Sequence, residues 1–398
     1  MTFVAKKTIA PAIADLVDRA AALVPVLRER ADACEAGNKV PQETIRDFQE
    51  AGFFKILQPR RHGGYEMDIE TFYAVQMKLA EGCMSSAWVL GVVAVHNWQL
   101  ALFDAKAQDD VWGKDNATLI SSSYMPRAQV TPVEGGYRIS GRWGFSSGVD
   151  HCDWAFLGGL VKDPENGEPD FWTFLVPRDD FKALPIWNTI GLGGTGSHDV
   201  TVEDAYVPAY RTHRSKDGFA ATNPGAKVNP GALYRLPFGQ VFVRAVSSSS
   251  IGALQGALDC FIEKGARRRS ANSGASASVD PDVQMVIAET RVAIDEMKTM
   301  LFRNFAHLTE KARAGEQADL ETRLHYRFQS GQISGRCCAL IARIFAASGA
   351  EAIYRGNPIA RAFCDIHAGR AHVANNPGVV GRNFGGVLLG APNSDSFI

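Results

Sequence analysis

The chain carries no surplus of charge of either sign: 42 lysines and arginines face 43 aspartates and glutamates over 398 residues, a formal net charge of -1. No global field therefore draws it to nucleic acid or to an anionic membrane surface, and partners have to be sought in local sites. Cysteine is sparse and without pattern. The seven cysteines include the vicinal pair Cys337-Cys338 but no Cys-x-x-Cys, which excludes a disulfide framework and fits reduced thiols in the cytoplasm. An uninterrupted apolar run is missing too: the most apolar stretch, 87–103, is broken by His96, Asn97 and Gln99, and reads as a buried helix rather than a membrane span. The first ten residues hold Lys6 and Lys7 but no apolar segment with a small-residue cleavage site, so no secretory signal is expected.

What is present is a change of period along the chain. Apolar residues at helical spacing (Leu16, Ala20, Leu23, Val24, Leu27) predict an amphipathic helix over 11–35 that Pro25 kinks, followed by helices after Pro41, over 68–82 and over 85–103. From Thr118 short alternating runs take over, at 119–124, 128–132, 137–144, 154–161, 171–176 and 200–207, and these predict a β domain. A polar Gly/Asn/Pro-rich excursion at 217–231 precedes four long helical segments at roughly 242–269, 280–314, 320–348 and 359–375, the pattern of an antiparallel bundle. The small polar stretch 270–278 reads as a mobile loop. The fold class is thus α+β and mainly α, with a helical domain over 1–117, a β domain over 118–230 and a helical bundle over 231–398.

The stretch from Ser140 to Trp154 packs Trp143, Phe145, Ser146, Ser147 and Gly148 into one hairpin connection. Flat side chains beside two hydroxyls suit a planar heteroaromatic ligand such as a flavin; a serine-rich hairpin with core aromatics is the plainer alternative. Gly191-Leu192-Gly193-Gly194-Thr195-Gly196 matches the dinucleotide fingerprint, but an alternating strand follows it where a helix is required, so no Rossmann unit is expected. The loop still allows close approach to a ligand, with Thr195 and Ser197 as hydroxyls. His96 stands alone among apolar residues, either as a satisfied core histidine or, with Ser121, Ser122 and Ser123 nearby, as a polar group for a small substrate. His367 and His372 are five apart and do not share a helix face, so no metal site is expected. Arg267-Arg268-Arg269 is either a solvated helix end or a phosphate contact.

The helices-strands-helices order, together with Gly52 to Pro59, Val95-His96-Asn97-Trp98, Ser121 to Tyr124, Trp143 to His151, Gly194 to Ser197 and Ala368 to His372, resembles the acyl-CoA dehydrogenase superfamily over nearly the whole chain. Within it the sequence is most similar to the oxygenase components of two-component aromatic monooxygenases. That resemblance implies an N-terminal helical domain, a central β-barrel and a C-terminal four-helix bundle, assembled as a homotetramer. It implies reduced FMN or FAD delivered by a separate reductase, O2 as co-substrate, and ortho-hydroxylation of a phenol to a catechol. It also implies that Trp88, Ser121, Ser122, Ser123, Phe145, Ser146, Ser147, Arg267, Ala350, Glu351 and His372 meet the flavin, with Arg267 reaching a neighbouring subunit's phosphate. His96 and Ser122 would hold the substrate hydroxyl, Ser147 would donate to flavin N5, and His372 would lie near the reacting edge; if His372 assists the reaction with oxygen, a positive charge there would stabilise the developing superoxide or peroxide. The alternative is an acyl-CoA dehydrogenase-like flavoenzyme. Many of those carry a glutamate base where this chain has His372-Val373-Ala374-Asn375, with no carboxylate to remove an α-proton.

Overall fold

The computed structural model describes residues 11–162, 167–265, 276–395 and 397–398. Arg267 and most of the 270–278 stretch lie outside the described residues. The chain opens with α1 (Ile13–Ala36), α2 (Gln42–Glu50), α3 (Ile69–Ala80), α4 (Met84–Leu100) and α5 (Ala105–Trp112). In α1 the stripe Leu16, Ala20, Val24, Leu27, Ala31 and Cys34 is buried. Pro25 lies on the exposed side of the same helix, which continues through it, so the expected kink does not break α1. Every residue of α4 is buried. A helix wrapped on all sides is a core strut, and this one packs against α3, the start of the sheet and the bundle. It carries both Trp88 and His96. Eight residues apart, they share one stripe of the helix about 12 Å apart along its axis.

The strands are β1 (Ile120–Val133), β2 (Gly136–Ser146), β3 (Trp154–Lys162), β4 (Pro169–Pro177), β5 (Phe181–Leu184), β6 (His198–Pro208) and β7 (Thr212–Arg214). They form one sheet in the order β5-β6-β2-β1-β3-β4-β7. The first two predicted strands are a single one, β1, irregular between Ser123 and Ala128. Its first half pairs parallel with β3 and its second half antiparallel with β2. The switch of partner curls the sheet around one core: Trp143 of β2 donates to Gly158 O of β3 at 2.8 Å, and Tyr137 of β2 meets Phe174 of β4 at 5.8 Å.

After α6 (Ser215–Ala220) come α7 (Phe238–Ala245), α8 (Ser248–Gly265), α9 (Pro281–Arg313), α10 (Leu320–Ser348), α11 (Pro358–Arg370) and α12 (Pro377–Leu388). The helix expected from 242 is broken between α7 and α8. There Ser248 Oγ turns back onto Arg244 O at 2.6 Å, a local bond that competes with the helix, and the freed Val246 carbonyl accepts from Asn375 Nδ2 at 2.8 Å. Helices α8, α9, α10 and α11 make the four-helix bundle.

Candidate active site

Two clusters flank the α4 stripe. At its N-terminal end Trp88 Nε1 donates to Ser147 Oγ at 3.2 Å. Ser147 Oγ lies 2.7 Å from Ser197 Oγ, which lies 2.7 Å from Thr195 Oγ1, and Thr195 donates to Leu192 O at 2.9 Å. Ser146 Oγ, next in the chain, is buried with no partner. Gly148 makes this approach feasible: its φ is +72°, and a Cβ there would stand 2.8 Å from Val89 Cγ1 of α4. His372 closes the cluster, its ring 5.8 Å from that of Trp88 at 66°. Its Nδ1 accepts from Ala374 N at 3.1 Å, so the proton of the neutral ring is on Nε2. Burial and the nearby Arg327 guanidinium push its pKa down to about 4. The imidazolium expected from the sequence is therefore corrected to a neutral N–H donor. The fixed positive charge in this corner is Arg327, which donates to Ala374 O at 2.9 Å.

At the other end of the stripe His96 is 0% exposed. Its Nδ1 lies 2.6 Å from Ile120 O, and because a carbonyl only accepts, the proton is on Nδ1. Nε2 is left as a buried lone pair with no partner. Around it stand Phe242, stacked at 6.3 Å, Phe156 at 5.6 Å and Tyr124 at 6.2 Å. Burial holds the His96 pKa down to about 4. Strand alternation sorts the serine triplet: Ser122 shares the face of Ile120 and Tyr124, toward α4, and bonds the Tyr124 hydroxyl, which donates to Gln99 Oε1. Ser121 and Ser123 face the other way, their hydroxyls donating to Trp154 O at 3.4 Å and Gly144 O at 2.7 Å.

The acyl-CoA dehydrogenase N-terminal domain matches residues 11–118, and the acyl-CoA dehydrogenase C-terminal domain matches residues 245–377. The oxygenase subunit HsaA of a flavin-dependent monooxygenase from Rhodococcus jostii is 40% identical over 385 residues, covering 96% of this chain and 100% of the relative. The crystal structure of 3-HSA hydroxylase from Rhodococcus sp. superposes with a TM-score of 0.92 at 39% identity, over 96% of this chain and 99% of that one. The oxygenase component of an FADH2-dependent resorcinol hydroxylase from Rhizobium sp. is 29% identical, covering 94% of each chain. This chain belongs to the flavin-dependent monooxygenase oxygenase subunits of the acyl-CoA dehydrogenase fold.

The residues of this oxygenase subunit fit a reduced flavin. Ser146 Oγ is an orphaned buried hydroxyl, Ser147 has a lone pair to spare, and a Cβ on Gly193 would meet nothing within 4 Å. Phe145, with φ +63°, and Val373 are 67% and 80% exposed on the segments that carry Ser147 and His372. Such a rim is apolar surface awaiting a flat ligand or a partner. Trp143 corrects the expectation of an aromatic pair beside the serines: it is fully buried in the core of the sheet, whereas Phe145 is largely exposed. Most of the other glycines of the 191–196 loop serve packing between elements. A Cβ at Gly191 would stand 2.1 Å from Cys364 O of α11, and one at Gly194 2.2 Å from Cys34 Sγ of α1.

Ala350 and Glu351 do not join either cluster within one chain. Asn357 Nδ2 donates to Glu351 O at 2.8 Å at the N-terminal end of α11, while His372 follows its C-terminal end, about 20 Å away by helix rise. Sequence reasoning assigned no role to Tyr124, Gln99, Phe242, Arg327 or Phe238, whose ring stacks on Phe242 at 5.5 Å and meets Tyr124 at 5.6 Å. Two of them had left a trace beforehand, Gln99 as a polar residue in the apolar run and Tyr124 as the end of the Ser121 to Tyr124 motif, without a role for either.

Proposed function

We propose that this oxygenase subunit hydroxylates a phenolic ring ortho to its hydroxyl, giving a catechol, with reduced FMN or FAD delivered by a separate reductase. The observation that carries the reading is the unpartnered Nε2 of His96, a buried acceptor inside an aromatic box. An unpaired buried acceptor is costly, and a phenol supplies both the missing O–H and a ring for the aromatic walls. With its pKa near 4, His96 is too weak a base to take the phenol proton outright, so it orients the hydroxyl and draws electron density into the ring through a hydrogen bond. Ser122, on the same face, is the second group for that hydroxyl. Reduced flavin supplies the electrons and the activation of O2. Trp88, Ser146, Ser147 and His372 would hold it, and the surrounding burial excludes water.

His96→Phe keeps the stack on Phe242 and removes the acceptor. It should bind reduced flavin as the wild type does while product per flavin falls by about 10²-fold or more, the oxygen leaving as H2O2. Wild-type product yield would remove His96 from the reading.

The assembly is part of the same proposal: a homotetramer in the cytoplasm, divided near residues 117 and 230. Seven free cysteines support a reducing compartment. The segment Leu320–Ile353, with α10, is the one described helix apolar and long enough to cross a membrane, yet only 28% of its apolar window is buried in a single chain. On α9 Met285 and Val292, seven residues apart, are 54% and 58% exposed. Contact between copies would cover these surfaces and bring Ala350, Glu351 and Arg267 to a neighbour's flavin.

A further inference from the structure

The hydroxyl chain at the N-terminal end of α4 has a direction, fixed by what its two ends are able to do. At one end Trp88 Nε1 is a donor only, so Ser147 Oγ accepts from it. At the other end Leu192 O is an acceptor only, so Thr195 gives its proton there. Thr195, having given away its one proton, can only accept from Ser197, and Ser197 in turn only from Ser147. The order is Trp88, Ser147, Ser197, Thr195, Leu192, each donating to the next. Leu192 is itself held in the left-handed region at φ +53°, its N–H donating to the buried Asp365 carboxyl at 2.6 Å. The terminal carbonyl is thereby fixed in place by α11.

We propose that Thr195 and Ser197 are positioning residues that keep the Ser147 proton turned away from the bound flavin, so that Ser147 meets N5 as an acceptor, and that this polarity makes the site select reduced over oxidised flavin. The inference rests on the flavin reading of the site, with N5 at Ser147 as the family resemblance implies. Reduced flavin carries a proton on N5 and is a donor there, whereas oxidised N5 is an acceptor. A hydroxyl with one proton and two lone pairs, one lone pair occupied by Trp88 and the proton by Ser197, has one lone pair left. It complements the reduced ring and opposes the oxidised one. This reverses the donor role expected of Ser147 from the sequence, and it uses two hydroxyls that need not touch the ligand.

The test compares dissociation constants for FMNH2, titrated anaerobically, and for oxidised FMN, in wild type, Thr195→Val, Thr195→Ser, Ser197→Ala and Ser147→Ala. Thr195→Val preserves shape and removes the acceptor, so Ser197 turns to donate to Ser147 and the Ser147 proton swings toward the ligand. The preference for reduced flavin should drop roughly 3- to 10-fold, the range of one hydrogen bond, and Thr195→Ser should restore it. Ser197→Ala leaves the Ser147 proton without its acceptor and should give the same loss, which keeps the test intact where Thr195→Val is poorly folded. A preference that Ser147→Ala abolishes but Thr195→Val and Ser197→Ala leave unchanged overturns the relay alone. Wild-type protein that binds neither flavin form overturns the flavin reading and the relay with it.

Discussion

At His96 a single buried nitrogen sets the chemistry, and its protonation state gives the first prediction. Burial lowers its pKa from the usual 6.5 to about 4, so the acceptor is present throughout the neutral range and is lost only as the pH falls through about 4. Product per reduced flavin should stay flat between pH 8 and 5.5. A downward limb centred near 6.5 would mean an ordinary, solvated histidine. His96 was legible in the sequence as a polar residue inside an apolar run, with two meanings. Its partners were not: Ile120, Tyr124 and Phe242 lie 24, 28 and 146 positions further on, and only the packing of α4 against β1 and α7 decides which nitrogen carries the proton. The charge of His372 was equally out of reach, because it depends first on burial in the folded chain and then on Arg327 arriving from α10.

Among the elements, the joint between α4 and the turn that follows β2 is a close fit: β1 lies between β2 and β3 in the sheet, so the segment carrying Ser147 is a crossing connection and not the hairpin expected from the sequence. Gly148→Ala would force a Cβ to 2.8 Å from Val89 Cγ1 at a φ of +72°, so the turn must shift and separate Ser147 from Trp88. A loss of about 1–3 kcal/mol in stability is expected, with weaker binding of reduced flavin. Gly385→Ala on α12, where a Cβ would meet nothing within 4 Å, is the control and should melt within a degree or two of wild type. Equal melting and equal flavin binding in both variants would show that the joint has slack. Helices and strands were largely readable here because their periods differ, and the glycine loop was correctly denied a Rossmann role by the strand that follows it. The break between α7 and α8 was not readable. It depends on Ser248 bonding backward and on Asn375, from the far end of the bundle, taking the Val246 carbonyl.

For the whole molecule, buried histidines link stability to pH. His62, His96 and His372 are each held near pKa 4, chiefly by burial, against an ordinary value of 6.5. Between pH 6.5 and 4 the unfolded chain takes up protons that the folded chain refuses, so the stability present above 6.5 is lost as the pH falls. Asp365, raised to about 8 by burial, opposes this, since its folded form holds a proton that the unfolded carboxylate releases. His151 and His213 are lowered by burial as well, and Glu70 is raised by it; five histidines against two carboxyls leave a net loss, and thermal melting at pH 5 should lie below that at pH 7. A higher midpoint at pH 5 would contradict the assignment of these histidines as buried and neutral. Assembly is tested separately: sedimentation should give four chains per particle, and Met285→Glu with Val292→Glu should lower that number, whereas a wild-type monomer would leave the exposed apolar faces of α9 and α10 without their proposed cover.

The measurement that bears most directly on the central claim is isotopic. The protein is loaded anaerobically with FMNH2 or FADH2, mixed with 18O2 and a para-substituted phenol, and the products are analysed by mass spectrometry. Hydroxylation as proposed places one 18O atom in a catechol, adjacent to the original hydroxyl, with His96→Phe giving little of it. Unlabelled catechol, or consumption of all the oxygen as H2O2 across a panel of phenols, would contradict the account.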